Sequence, residues 1–163
     1  MQGTFLFIPK FTNMSNTTTR LAEIEVSYRP KKSQHPLIKS SADVYYHLLK
    51  FFPEETISLQ EQFVVGYVNR ANRLMGVYEM SRGGITGTVA DPKLILGVAL
   101  KSAATGIILA HNHPSGNLQP SIQDKDITKK IQEACKLLDI TLLDHLIIAP
   151  EKEYFSFADE GLL

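Results

Sequence analysis

The chain has 163 residues, 44% of them hydrophobic, which is the ordinary size and composition of one globular domain with a buried core. Its 17 lysines and arginines are balanced by 17 aspartates and glutamates, which excludes the broad positive field of a dedicated nucleic-acid binder. The single cysteine excludes an internal disulfide and a cysteine-rich zinc finger.

The same features predict a soluble, cytoplasmic protein with no membrane partner. One cysteine fits a reducing compartment. The apolar patch Phe5 to Ile8 is too short for a secretion signal and has no basic lead-in. No stretch approaches the roughly 20 apolar residues that a bilayer-spanning helix requires.

The first part of the chain, residues 1–39, is predicted to form a β-rich N-terminal arm ahead of a main domain at residues 40–163. Alternation of apolar and polar residues from Ala22 to Tyr28 predicts a half-buried edge strand. The basic residues Arg29, Lys31 and Lys32 could contact phosphates, although a solvated linker is the commoner meaning of such a run. The arm could also add a strand to a neighbouring copy and so support a homo-oligomer.

Helix and strand patterns alternate through the main domain, which predicts an α/β fold with a mixed sheet and helices packed against it. Capping residues and prolines mark the helix ends, and β-branched runs mark the strands. The predicted helices are Ser40 or Ser41 to about Phe52, Pro92 to Ser102 with Asp91 as cap, and Ser121 to about Leu138; the predicted strands are Phe63 to Val68, Leu74 to Met80, Gly106 to Ala110, Thr141 to Ile148 and Tyr154 to Phe157, with a glycine-rich loop from Gly83 to Gly87.

The most informative stretch follows the apolar strand that ends at Ala110. Side chains alternate along an extended strand, so His111 and His113 lie on one side of the backbone and can share an ion. A turn then leads to a helix that brings Asp124 back to the strand end. Two neutral histidines and a carboxylate leave a tetrahedral zinc with one open position for water, which is the catalytic arrangement.

Each part of this pattern also has an ordinary explanation. Ser121 and Asp124 have the spacing of a helix capping box, and a histidine pair two residues apart is usually a surface feature. The strand end, the turn, the capped helix and the candidate ligands together favour a metal site.

The pattern His-x-His, seven residues, Ser-x-x-Asp is similar to the signature of the JAMM, or JAB/MPN, metalloproteases. More narrowly, the chain resembles the RadC family, bacterial JAMM-domain proteins labelled DNA repair proteins, from about Ser40 to Leu163. The resemblance implies a JAB/MPN-like, cytidine-deaminase-like sandwich. The segments that carry it are His111 to Gly116, Pro120 to Ser121, Leu142 to Ile147 and Phe155 to Ala158.

The resemblance also implies roles for individual residues. His111, His113 and Asp124 would bind Zn²⁺, and Ser121 would donate a hydrogen bond toward the oxyanion of a tetrahedral intermediate. The family further uses a glutamate at the start of a neighbouring strand as general base.

Glu61 is the predicted base, because it opens the first strand of the hairpin and matches the glutamate-before-strand pattern of the family. Glu79 is the competing candidate. A surface carboxylate without a catalytic role is the ordinary alternative for Glu61. A general base must reach the proton that it removes, so geometry decides between them.

Four further residues lie in or near these motifs and have weaker functional signals. Asn112 lies on the opposite face of the strand from its histidine neighbours, which favours a loop-fixing role over substrate contact. Asp144 or His145 could orient a ligand histidine, or both could form a satisfied buried pair. Cys135 is predicted to be a core residue and not a nucleophile.

These patterns favour a zinc-dependent hydrolase that cleaves a peptide or isopeptide bond of a peptide or protein substrate. The alternative is a DNA repair or recombination accessory protein whose JAMM fold is a non-proteolytic scaffold. Fuller RadC relatives carry a helical hairpin domain ahead of the JAMM domain, where this chain has only its arm, and this with the balanced charge counts against direct DNA binding. Deubiquitination is not predicted, because the chain has no obvious room for ubiquitin-gripping insertions.

Overall fold

A computed structural model describes residues 35–83 and 90–163. Their centre is a five-stranded sheet in the order β2-β1-β3-β4-β5. Only the β3–β4 pair is parallel, and the other neighbours are antiparallel. The predicted mixed α/β sheet is therefore confirmed. The strands are β1 (Gln62–Val68), β2 (Leu74–Arg82), β3 (Gly106–Asn112), β4 (Thr141–Ile148) and β5 (Tyr154–Ser156).

Three α-helices accompany the sheet within the described residues: α1 (Ser41–Leu48), α2 (Pro92–Ser102) and α3 (Ile122–Lys136). Each begins at a side-chain cap, because the first backbone amides of a helix have no partner within it. Ser40, Asp91 and Ser121 supply these caps. The first helix differs from the prediction at its end, where Leu49–Phe51 tightens into a 3₁₀ turn before Pro53.

The helices cover both faces of the sheet. Every residue of β1 and of β3 is buried, as expected for strands with helices on both sides. Val64 and Ile108 pack in the cluster with α1, whereas Val65 and Leu109 pack with α2 and α3. The alternation along β3 carries His111 to the α2 and α3 face, at the end of the central strand.

Several predictions concern residues outside the described ranges. The edge strand from Ala22 to Tyr28, the basic cluster near Arg29 and most of the glycine-rich loop lie there. The domain division at residue 40 stays a prediction. No helix in residues 35–83 or 90–163 combines the length and apolar content needed to cross a bilayer.

Candidate metal centre

The end of β3 brings the two histidines together. The strand runs two residues beyond its predicted end at Ala110, so His111 lies within the sheet and pairs with Phe63 of β1. His113 follows the strand, and its amide donates to the Ile148 carbonyl at 3.0 Å. The Nε2 atoms of the two rings are 3.0 Å apart, which confirms that both side chains lie on one side of the backbone.

The first turn of α3 supplies the carboxylate. Ser121 caps the helix by accepting from the Asp124 amide at 3.1 Å, and Asp124 Oδ2 accepts from the Ser121 amide at 2.7 Å. Asp124 Oδ1 lies 3.1 Å from His111 Nε2, and Oδ2 lies 3.5 Å from His113 Nε2. The capping box therefore also holds the carboxylate of Asp124, a candidate metal ligand, beside the two rings.

The three side chains fit the geometry of a zinc site. Ligands about 2.0–2.1 Å from a tetrahedral zinc are roughly 3.3 Å from one another. The shortest separations among the three groups are 3.0, 3.1 and 3.5 Å. The exposed fractions of the side chains are 3% for His111, 14% for His113 and 15% for Asp124, so the group is sheltered and yet open to a small ligand. These residues could hold a metal ion.

The carboxylate of Asp124 is held in its charged form by its neighbours. Burial acts to raise the pKa of Asp124, but hydrogen bonds with His111, His113 and Ser121 outweigh it and hold that pKa well below its usual range. Burial acts to lower the pKa of His113, but its contacts with Asp124 and the Asn117 carbonyl raise it overall. A carboxylate thus stays ionised beside two imidazoles at neutral pH.

The two candidate bases differ in their surroundings. Glu61 directly precedes β1, and its negative charge contributes to the raised pKa of His113. Glu79 lies in an ion pair with Arg82 at 3.0 Å and accepts from Gln62 Nε2 at 3.0 Å. These bonds occupy the carboxylate of Glu79, whereas the charge of Glu61 acts on His113.

Asn112 makes structural contacts on the opposite face of β3. It is completely buried, and its Oδ1 accepts from the Gln62 amide at 2.7 Å. Its Nδ2 donates to the carbonyls of Ile57 at 2.7 Å and Gln60 at 3.0 Å. The loop-fixing interpretation of Asn112 is therefore correct.

Asp144 and His145 have separate roles. His145 Nε2 lies 2.9 Å from His111 Nδ1, and its Nδ1 lies 2.6 Å from the hydroxyl of Thr128. Burial, with the nearby charge of His111, lowers the pKa of His145 well below its usual value and keeps the ring neutral. Asp144 instead accepts from Ser156 Oγ and from two backbone amides, as a satisfied buried carboxylate.

Sequence reasoning missed Thr128. The available signal was its spacing: it lies four residues after Asp124 on α3 and therefore on the same helix face. Cys135 is fully buried in the α2 and α3 cluster, which confirms its predicted core position.

A mixed sheet between helices, with a His-x-His strand end facing an aspartate on the next helix, defines an α/β domain with a candidate metal centre. Residues 38–162 match the family described as the RadC-like JAB domain. The chain belongs to this family.

Curated relatives support this assignment. A UPF0758 protein of Flavobacterium johnsoniae is 50% identical over 102 residues, which is 63% of this chain and 44% of that protein. UPF0758 proteins of Porphyromonas gingivalis and Aquifex aeolicus are 40% and 37% identical over 91% and 87% of this chain. The matched regions cover 66% and 60% of those two proteins, so the chain spans between 44% and 66% of the length of the three relatives.

Proposed function

We propose that this domain is a zinc-dependent hydrolase of the JAMM type that cleaves a peptide or isopeptide bond. The observation that supports it is the convergence of His111 Nε2, His113 Nε2 and the Asp124 carboxylate at the end of the central strand. Zinc bound there would supply Lewis acidity toward a substrate carbonyl and lower the pKa of a water molecule in the site.

In this proposal Glu61 accepts the proton of the attacking water and delivers it to the leaving nitrogen. Its electrostatic coupling to His113 and the occupied state of Glu79 support this choice. Ser121 is proposed to donate to the oxyanion of the tetrahedral intermediate. Its hydroxyl now donates to Asp124 Oδ2 at 2.6 Å, so the proposed role requires that the hydroxyl rotate toward substrate.

Metal content tests the proposed centre. Protein stripped with a chelator and reloaded should bind about one zinc ion per chain. His113→Ala and Asp124→Ala should lose it, while the matched controls His47→Ala on α1 and Asp126→Ala on the exposed side of α3 should retain it. Circular dichroism would show that each variant is folded. A folded wild-type protein that stays metal-free in excess zinc would refute the proposal.

Hydrolysis of a peptide library tests the proposed reaction. Glu61→Gln should keep the metal and lose cleavage by roughly 10²–10⁴-fold, the usual contribution of a general base. Glu55→Gln, an exposed control, should leave the rate unchanged. If Glu79→Gln lost cleavage to this extent and Glu61→Gln did not, the role of general base would be assigned to Glu79.

The partners stay proposals, because the curated relatives extend beyond the matched region. A peptide or protein substrate is proposed from the chemistry, and a cytoplasmic location stays the expectation drawn from the cysteine content of the sequence. The alternative function is that of a non-proteolytic accessory protein in DNA repair, and a different experimental result would favour it. Binding to DNA that survives physiological salt, together with undetectable peptide cleavage by zinc-loaded protein, would replace the hydrolase proposal.

A further inference from the structure

A series of buried hydrogen bonds connects two of the candidate ligands, His111 and Asp124, on the side away from the position that a metal ion would take. It runs from the backbone carbonyl of Asp124 through Thr128 and His145 to His111. Thr128 is 3% exposed, His145 0% and His111 2%, so bulk water does not compete for these groups. Because one end of the series is a carbonyl, which can only accept, the direction of every bond can be worked out.

The first bond starts at the Asp124 carbonyl. Thr128 Oγ1 lies 2.5 Å from it, so the hydroxyl proton of Thr128 is donated there. The hydroxyl has no second proton, and it can only accept from His145 Nδ1 at 2.6 Å. The ring of His145 therefore carries a proton on Nδ1, and its complete burial disfavours a second, charge-bearing proton on Nε2.

The direction of the remaining hydrogen bond, between His145 and His111, follows from the first two. With its proton on Nδ1, His145 presents a lone pair at Nε2, which can only accept from His111 Nδ1 at 2.9 Å. His111 thus holds a proton on Nδ1, which leaves Nε2, the ring nitrogen on the side of Asp124 and His113, as the atom that can bind a metal ion. We infer that Thr128 and His145 are positioning residues that fix the metal-binding tautomer and ring orientation of His111.

The same bonds couple the positions of two ligands. Asp124 and His111 lie on different elements, α3 and β3, and His145 on β4 bridges them through Thr128. A shift of the first turn of α3 would therefore disturb both the carboxylate and the ring of His111. The link to metal affinity rests on the proposed zinc centre, whereas the proton positions do not.

The proton positions can be measured directly in the wild-type protein. Long-range proton–nitrogen NMR of the histidine rings distinguishes a proton on Nδ1 from one on Nε2. We expect Nδ1–H on His145 both in metal-free protein at mildly alkaline pH and in zinc-loaded protein, and Nδ1–H on His111 in the loaded form. A proton on Nε2 of His145 would overturn the inference without any variant.

A hydroxyl deletion tests the consequence for the metal. Thr128→Val keeps the shape of the side chain but removes the acceptor for His145, and it should weaken zinc binding by about 10-fold or more, as measured by chelator competition. Thr128→Ser keeps a hydroxyl and should retain wild-type affinity and the Nδ1–H signal of His145. Thr141→Val, at an exposed position of β4, is the matched control and should change neither.

The outcomes separate this inference from the proposed function. If wild-type protein binds zinc and Thr128→Val binds it equally well with an unchanged His145 signal, the positioning role is wrong and the metal centre stands. If wild-type protein binds no zinc, the centre is wrong, and the tautomer of His145 still decides the positioning claim. If Thr128→Val does not fold, the wild-type spectrum and Thr128→Ser decide it.

Discussion

Asn112 holds the backbone on both sides of Glu61, since its side chain accepts from the Gln62 amide at 2.7 Å and donates to the Gln60 carbonyl at 3.0 Å. Asn112 also lies between His111 and His113 in the sequence. The strand that carries the histidines therefore fixes the segment that carries the candidate base. One buried amide sets the distance between the proposed proton acceptor and the proposed metal centre.

Asn112→Asp should destabilise the protein strongly. The new carboxylate oxygen would face the carbonyls of Ile57 and Gln60, which would lose their donor in a buried site. We expect a loss of about 3 kcal/mol or more in the free energy of unfolding, measured with urea. Asn69→Asp is the control, because Asn69 uses its side-chain oxygen as an acceptor for Ala71 and Arg73. If Asn112→Asp lost as little stability as the control, Asn112 would not hold the backbone on both sides of Glu61 as described.

Asp144 should make stability depend on pH. Burial raises the pKa of its carboxyl despite the hydrogen bonds from Ser156, Ala158 and His145. A raised folded-state pKa stabilises the fold below the unfolded value of about 3.9, and this contribution is lost as pH rises through the folded pKa. The stability of Asp144→Asn relative to wild type should therefore increase with pH above about 4 and then level off. Urea titrations across this range would contradict the assignment if the difference stayed flat.

Two glycine substitutions should change the stability of the protein in opposite directions. A Cβ at Gly106 would lie 2.8 Å from Val68 Cγ2 and 3.3 Å from the Thr141 carbonyl, so Gly106→Ala should cost about 1–3 kcal/mol through overpacking. Gly97 lies inside α2, and a Cβ added there would meet no neighbouring side chain within 4 Å. Gly97→Ala should stabilise the protein by about 0.5–1 kcal/mol. Thermal unfolding of both variants measures this, and equal shifts of one sign would be inconsistent with the packing.

Cys135 should be inert in the folded protein. Burial raises the pKa of its thiol to about 11, which leaves little thiolate at neutral pH. Alkylation at mildly alkaline pH should be slower than in urea by on the order of 100-fold. Peptide cleavage should accordingly resist thiol reagents and respond to chelators. Inactivation by alkylation at Cys135 would point away from metal-dependent hydrolysis.

The candidate ligands were predictable because their arrangement is local. Strand alternation places His111 beside His113, and the capping box that starts α3 orients Asp124. The two interpretations of Asp124, capping-box partner and candidate metal ligand, are compatible in the structure, because the capping turn places its carboxylate beside the rings. Strand and helix positions within the described residues followed from equally local patterns.

The surrounding contacts were not predictable in the same way. Thr128 on α3 and His145 on β4 meet only when the helix packs on the sheet, and nothing in their spacing indicates that contact. Likewise, Glu79 resembled Glu61 as a strand carboxylate until pairing with Arg82 and Gln62 distinguished them. Partner choice across elements depends on sheet order, which short-range periodicity does not encode.

The candidate ligands lie on elements that differ in how readily they unfold locally. His111 lies in the central strand of the sheet, whereas Asp124 lies on the first turn of a helix, where fraying is easy. Opening of this first turn would therefore release a bound cation, because it removes the carboxylate and loosens the His111 ring through Thr128 and His145 while the strand backbone stays paired. We expect amide hydrogen exchange at Lys125 to be faster than at Leu109 and to slow when zinc is added. Binding and release of the metal would then be controlled by the N-terminal end of α3 and not by the sheet.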